Sequence, residues 1–283
     1  MTTPFDAPDW RKLSQQELDR GLNNGLAVTG SADIVAGWDA RSAEISKRHP
    51  DQFDLRYGPR VRNRIGFFKA RDHAPTLLFI HGGYWQMRAK ETFALFAEGP
   101  MAHGINVALI GYTLASEATL DQIVAEIHSG LDFLAARLPD LGCDGNGIVV
   151  SGWSAGGHLT AMALSHPFVR AGMAISGIYD LEPIRASYLN VKLGLDEAAS
   201  RRNSPMNQAG GPNKPLSLVV GSSELPLLRK QTADFAGHRA KFGLPVTYEE
   251  IPGADHFSIM NEMASPSGRI TTLIRQLVER TGA

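Results

Sequence analysis

Gly152-Trp153-Ser154-Ala155-Gly156 is a G-x-S-x-G pentapeptide that follows the apolar run Ile148-Val149-Val150 directly and opens the helix-like stretch Gly157–Leu164. A serine on such a strand-to-helix turn sits in a strained backbone conformation that projects its hydroxyl, and the flanking glycines lack the Cβ atoms that would clash there. The spacing demands a strand, a sharp turn and a helix in that order, and it makes Ser154 the candidate nucleophile. The pentapeptide alone is a weak signal, because glycine and serine are common in loops. Three further features stand where nucleophilic chemistry needs them.

The first lies upstream. Pro75–Ile80 reads as a short buried strand that runs into His81-Gly82-Gly83-Tyr84-Trp85. Attack on a carbonyl creates a negative oxygen, and backbone N–H groups held by a glycine turn can stabilise it, each contributing on the order of 3 kcal/mol to the barrier. The N–H groups of Gly83, Tyr84 and Ala155 are assigned to that oxyanion hole. His81 is read as a brace for its own loop.

The second feature is a base. Val246–Ile251 alternates like a strand and leads into Pro252-Gly253-Ala254-Asp255-His256-Phe257, placing His256 on a loop past a strand end. Of the nine histidines, His158 is the nearest rival in sequence, but it falls one helical turn past Ser154 and points away from the hydroxyl. The third feature is an acid, which must hold the imidazole in the right tautomer. Glu224 follows the strand-like Leu216–Val220 in Gly221-Ser222-Ser223-Glu224, where an aspartate is more usual; Asp180, after the strand Met173–Ser176, competes for the role. The order serine, acid, histidine favours Glu224. Asp255 adjoins His256 but points elsewhere along an extended loop.

Around these motifs the chain alternates strand-like and helix-like segments from Thr76 onward, the pattern of a mostly parallel sheet with helices on both faces. Helices are expected over Thr92–His103, Thr119–Leu138, Leu227–Phe242 and Gly268–Arg280, and strands over Val61–Lys69, Ile105–Ile110, Gly147–Ser151, Ala171–Ser176, Leu216–Val220 and Val246–Ile251. With 283 residues and 43% hydrophobic content, one large domain with a substantial core follows. Two stretches break the rhythm. Residues 1–60 include a polar, helix-prone segment with Leu13, Leu18 and Leu22 on one side, an expected cap over the site. Residues 183–212 form either a lid over the pocket or a surface excursion packed away from it.

A net charge of −1 gives no electrostatic reason to expect nucleic acid or an acidic membrane as a partner. The Met1–Asp6 start shows no signal-like pattern, and no stretch approaches the roughly 20 apolar residues of a membrane span. The single cysteine, Cys143, excludes an intrachain disulfide and fits a reducing compartment, so the expected location is cytoplasmic. No metal or nucleotide motif is present, and the expectation is chemistry without cofactor or metal.

The chain resembles the kynurenine formamidase (arylformamidase) branch of the α/β-hydrolase superfamily. The resemblance rests on His81-Gly82-Gly83-Tyr84-Trp85-Gln86, on Trp153–Leu159, on Gly177–Pro183 and on Ser204-Pro205-Met206. It continues through Gly221–Glu224 and Ala254–Phe257, and upstream through Leu22-Asn23-Asn24 and Trp38–Ser42, so it covers nearly the whole chain. It implies an α/β-hydrolase fold over residues 1–283 with a small helical cap or lid, and Ser154, Glu224 and His256 as a triad. It further implies hydrolysis of N-formyl or similarly acylated amines, and often of small esters. Two departures, Leu225-Pro226-Leu227-Leu228 after the acid in place of a second glutamate and phenylalanine, and Leu22 in place of a tyrosine, bear on the pocket and put N-formylkynurenine itself in question.

Tyr84, Trp85, Trp153 and Phe257 are the expected substrate-binding side chains, crowding the site into a short acyl pocket for formyl or acetyl, with an aromatic leaving group against the rings. Trp153 reads nearly as well as a core residue. The expected partner is a small acyl amide or ester, and the oligomeric state is left open, a homodimer included. The alternatives are a short-chain carboxylesterase of other specificity, which needs the same machinery, and a hydrolase-fold binding protein, which usually lacks a triad member.

Overall fold

The computed structural model describes residues 7–49, 53–208 and 211–282. The Met1–Asp6 start lies outside them, as do small parts of the 1–60 and 183–212 stretches. Eight strands form one sheet: β1 (Phe53–Arg56), β2 (Arg64–Phe68), β3 (Thr76–Ile80), β4 (Asn106–Ile110), β5 (Ile148–Trp153), β6 (Val169–Ile175), β7 (Leu216–Gly221) and β8 (Val246–Ile251). Their order is β1-β2-β4-β3-β5-β6-β7-β8, with β2 antiparallel to both of its neighbours, β1 and β4, and every other pair parallel. The nucleophile strand β5 therefore sits at the centre, between β3 and β6.

Side chains alternate across a strand, so β3 and β5 feed a different core on each face. Leu78, Ile80, Ile148 and Val150 join one cluster with Ile123, Ile127 and Leu134 of helix Leu120–Arg137 and with Phe235 of helix Pro226–Lys241. Leu77, Phe79, Val149 and Trp153 face the other cluster, covered by helix Ser31–Arg48 and helix Arg269–Thr281. Burial on both faces explains why these strands read as unbroken apolar runs rather than alternating ones.

Two expectations change. The segment expected as a helix over Thr92–His103 is a 3-10 helix, Lys90–Ala97, followed by a single α turn, Glu98–Met101. Every residue from Thr92 to Ala97 is buried, and with apolar groups on all sides no amphipathic stripe favours a regular α-helix. The expected N-terminal cap divides. Helix Ser31–Arg48 turns Val35, Trp38 and Ile45 into the core beneath the sheet, and Trp38 meets Phe93, Phe96, Trp153 and Phe257. Only the part around Leu22–Gly25 reaches the candidate site, anchored by helix Gln15–Gly21 with its Ser14/Glu17 capping box and buried Leu18.

Candidate active site

Ser154 stands between β5 and helix Ala155–Ala163 with φ 59° and ψ −120°, a conformation costly for a residue with a side chain. The surroundings enforce it. A Cβ at Gly152 would come within 2.2 Å of the Gly156 carbonyl oxygen, and one at Gly156 within 2.0 Å of the Ile80 oxygen, so only glycines let the elbow pass the end of β3. Gly82 is locked similarly: a Cβ there would meet the Trp153 oxygen at 2.7 Å and Ser154 Cβ at 3.0 Å. The loop after β3 is thereby seated directly on the elbow.

His256 Nε2 lies 3.1 Å from Ser154 Oγ, and His256 Nδ1 lies 2.6 Å from Glu224 Oε2. A carboxylate only accepts hydrogen bonds, so Nδ1 carries the proton and Nε2 presents its lone pair to the serine. The other carboxylate oxygen, Oε1, accepts from Ser176 Oγ at 2.5 Å and from the Gly221 N–H at 2.7 Å. All three residues are buried. Asp255 shapes the loop instead: its Oδ1 accepts from the N–H groups of Phe257 and Ser258, both at 2.8 Å. Asp180 turns to a second cavity beside Trp10, Lys230 and Asp234, where burial raises its pKa.

Among the described residues, the N–H groups of Gly83, Tyr84 and Ala155 donate to no protein acceptor. Ala155 is the first residue of its helix, where the N–H has no intrahelical partner. Gly83, Tyr84 and Trp85 all have positive φ, at 112°, 50° and 59°. This run turns the loop so that the carbonyl of Gly83 is capped by the N–H groups of Gln86 and Met87.

The other two histidines near the motifs are bracing groups. His81 stacks on Tyr112 at 4.2 Å, and its Nδ1 lies 2.8 Å from the Gly82 oxygen. His158 Nε2 donates to the Asn203 carbonyl at 2.7 Å. Burial brings the pKa of each down to about 4.

A cavity of about 490 Å³ opens over Ser154 and His256. Trp153 and Phe257 form part of its lining, Asn23 to Gly25 one wall, and Tyr188, Leu189, Val191 and Lys192 from the 183–212 stretch another. That stretch folds into the short helices Glu182–Arg185, Asn190–Leu193 and Glu197–Arg202, and Gln86 Nε2 donates to the Leu189 carbonyl at 2.8 Å. Tyr84 O–H donates to the Leu22 carbonyl and accepts from Asn24 Nδ2 at 3.1 Å, tying the loop after β3 to the N-terminal wall.

Trp85 is a correction. It is fully buried outside the cavity and packs edge-on against His158 at 4.9 Å, because the positive φ at Tyr84 and Trp85 turns its ring inward beneath the loop. Trp153 unites its two readings: it is buried among Trp38, Phe93 and Phe257, one edge lines the cavity, and its indole N–H donates to the His256 carbonyl at 2.8 Å. Sequence reasoning missed Ser176, which holds Glu224, and Arg88, which also lines the cavity. A serine closing an apolar strand carries no distinguishing pattern, whereas Arg88 lies within reach of the conspicuous His81–Gln86 motif.

The BD-FAE family model matches residues 68–168, from the end of β2 past the elbow helix. Kynurenine formamidase of Danio rerio is 26% identical over 96% of this chain and 99% of its own length. Kynurenine formamidase of Salmo salar is 30% identical over 73% of this chain and 74% of its own. The chain belongs to the kynurenine formamidase family. A solved structure of a candidate thioesterase from Silicibacter sp. TM1040 superposes with a TM-score of 0.84 at 25% identity, over 92% of this chain and 99% of that one. Esterase B of Lactobacillus rhamnosis shares the fold with a TM-score of 0.70 at 18% identity, over 88% and 96%. This kynurenine formamidase family member has the α/β-hydrolase fold and is a hydrolase of acyl amides or esters. No described helix is long and apolar enough to cross a membrane.

Proposed function

We propose that the protein is a serine hydrolase of arylformamidase type, removing a formyl or acetyl group from an aryl amide or ester, with N-formylkynurenine or a related N-acyl amine as substrate. The observation that carries this reading is the buried relay from Glu224 through His256 to Ser154, at 2.6 and 3.1 Å, beneath a cavity walled by aromatic and aliphatic side chains. Ser154 Oγ attacks the acyl carbon while His256 Nε2 takes its proton, and Glu224 stabilises the imidazolium. The N–H groups of Gly83, Tyr84 and Ala155 receive the oxyanion. His256 then protonates the leaving amine or alcohol, an acyl-enzyme remains on Ser154, and a water activated by His256 releases formate or acetate.

In this reading Tyr84, Trp153 and Phe257 border the substrate, and the walls around Asn23–Gly25 and Tyr188–Lys192 act as cap and lid within a single domain. A cytoplasmic setting accompanies it, from the lone cysteine of the sequence. The deciding measurement is kcat/KM on N-formylkynurenine beside a short-chain aryl acetate, with Ser154→Ala as control. A strong Ser154-dependent preference for the formamide is expected. Turnover of the ester alone selects the second reading, a short-chain carboxylesterase, which needs the same relay and donors. Absence of serine-dependent turnover of either overturns both.

A further inference from the structure

Arg88 is built into the cavity in a manner the relay does not require. Its backbone has φ 78°, a conformation that side chains rarely adopt, and Arg62 Nη1 holds its carbonyl at 2.9 Å. Its stem lies on the oxyanion loop: a Cβ at Gly83 would come within 2.9 Å of Arg88 Cγ. Arg88 lines the cavity, half-buried, and among the described residues no carboxylate stands within ion-pair distance of it. Asp39, on the solvent side of helix Ser31–Arg48, acts on it only across a longer gap. Besides the histidine of the relay, the ionisable side chains lining the cavity are Arg88, Lys192 and the phenols of Tyr84 and Tyr188; no aspartate or glutamate lines it. A half-buried guanidinium whose nearest carboxylate lies beyond ion-pair distance has lost hydration that no paired charge replaces.

We infer that Arg88, assisted by Lys192, is a specificity-determining residue that binds a carboxylate on the leaving group, so that the enzyme selects anionic aryl amides and esters over neutral ones. The inference rests on the proposed acyl transfer at Ser154 and specifies its substrate class. A guanidinium presents a planar fork of donors that matches a carboxylate, and on a half-buried wall such a charge-assisted pair is stronger than at the open surface. Lys192, exposed at the rim, adds a second positive charge that favours entry of an anion.

The test compares formamidophenyl-propanoate with formamidophenyl-propanamide, which differ only in the charge, alongside the same pair as aryl acetates. The wild type is expected to favour the anion by about tenfold or more in kcat/KM, mainly through KM. Arg88→Met should collapse that ratio, Arg88→Lys should retain part of it, and Lys192→Met should lower it less. Rising ionic strength should also erode the ratio in the wild-type protein, which requires no variant to fold. Equal rates on both members of a pair, or a ratio unchanged in Arg88→Met, overturn the inference. Because the acetate pair is read separately, failure on formamides alone counts against the formamidase reading and leaves the charge preference to be judged on the esters.

Discussion

Ser176 Oγ donates a 2.5 Å hydrogen bond to Oε1 of Glu224, the carboxylate oxygen that His256 leaves free. Ser176 closes β6 with φ 51°, so the end of the neighbouring strand is bent to reach the acid. With the Gly221 N–H on the same oxygen, the carboxylate is fixed from behind. Replacing Ser176 with alanine leaves one of those two donors and should lower kcat about tenfold with KM little changed, the effect of one charge-assisted hydrogen bond. Steady-state kinetics on any accepted ester reads this out; an unaltered kcat would remove Ser176 from the account.

Glu224→Gln keeps the shape of the acid and removes its charge, so that an amide can donate to His256 and favour the wrong tautomer. By analogy with the aspartate-to-asparagine change in serine proteases, kcat should fall by about 10³ to 10⁴. Asp180→Asn, at the rival position in the second cavity, should alter kcat by less than about twofold, as expected for a residue outside the relay. The reverse ranking of the two variants would return the acid role to Asp180.

In the proposed function Trp153 borders the acyl side, and its ring is clamped by Trp38, Phe93 and Phe257. Trp153→Leu should shift the preference among aryl esters from acetate toward butyrate and hexanoate, while costing about 2 to 4 kcal/mol of stability as a large-to-small core change. An unchanged chain-length profile in a folded variant would move the acyl pocket elsewhere.

The two bracing histidines set an acid limit on the fold. Each has a folded-state pKa of about 4, below its ordinary value of 6.5, so each is bound neutral in the native state. Between about pH 6.5 and 4 the unfolded chain binds more protons, and stability is lost as the pH falls through that window. Above it their contribution is constant. For His158 the cause is burial, and the geometry agrees with it: Nε2–H already serves Asn203, while Nδ1 is buried without a partner, so a second proton would have no acceptor. The loss should be on the order of 3 kcal/mol per histidine. Thermal melts from pH 7 to 4 should show it, and His158→Gln should flatten the curve.

What could be read from residue order was whatever carries a local signature. The strand, G-x-S-x-G and helix sequence is legible because its glycines are demanded by contacts at 2.0 to 2.2 Å with neighbouring backbone, and such contacts leave no other residue type available. The parallel strands were legible because both of their faces are apolar. Trp85 was misplaced because its direction depends on two positive φ values that nothing in an aromatic side chain announces. Ser176 and Arg88 were missed for a related reason: each acts across the fold, on Glu224 and on the cavity above Gly83, and a single polar residue carries no periodicity that reveals a partner far along the chain.

Ser154 and His256 are separated by 102 residues, and Tyr84 is fastened to Leu22 across 62 more. During synthesis the loop after β3, the elbow and the strands that carry them all emerge before the base does. A chain lacking the last tenth of the sequence would carry the serine and the loop after β3, yet have neither His256 nor the helix Arg269–Thr281 that covers one face of the sheet. In the proposed relay the base and the cover of that core therefore arrive together, when the loop after β8 docks against Trp153 and the last helix closes over the sheet, so that completing the fold and completing the site are one late event.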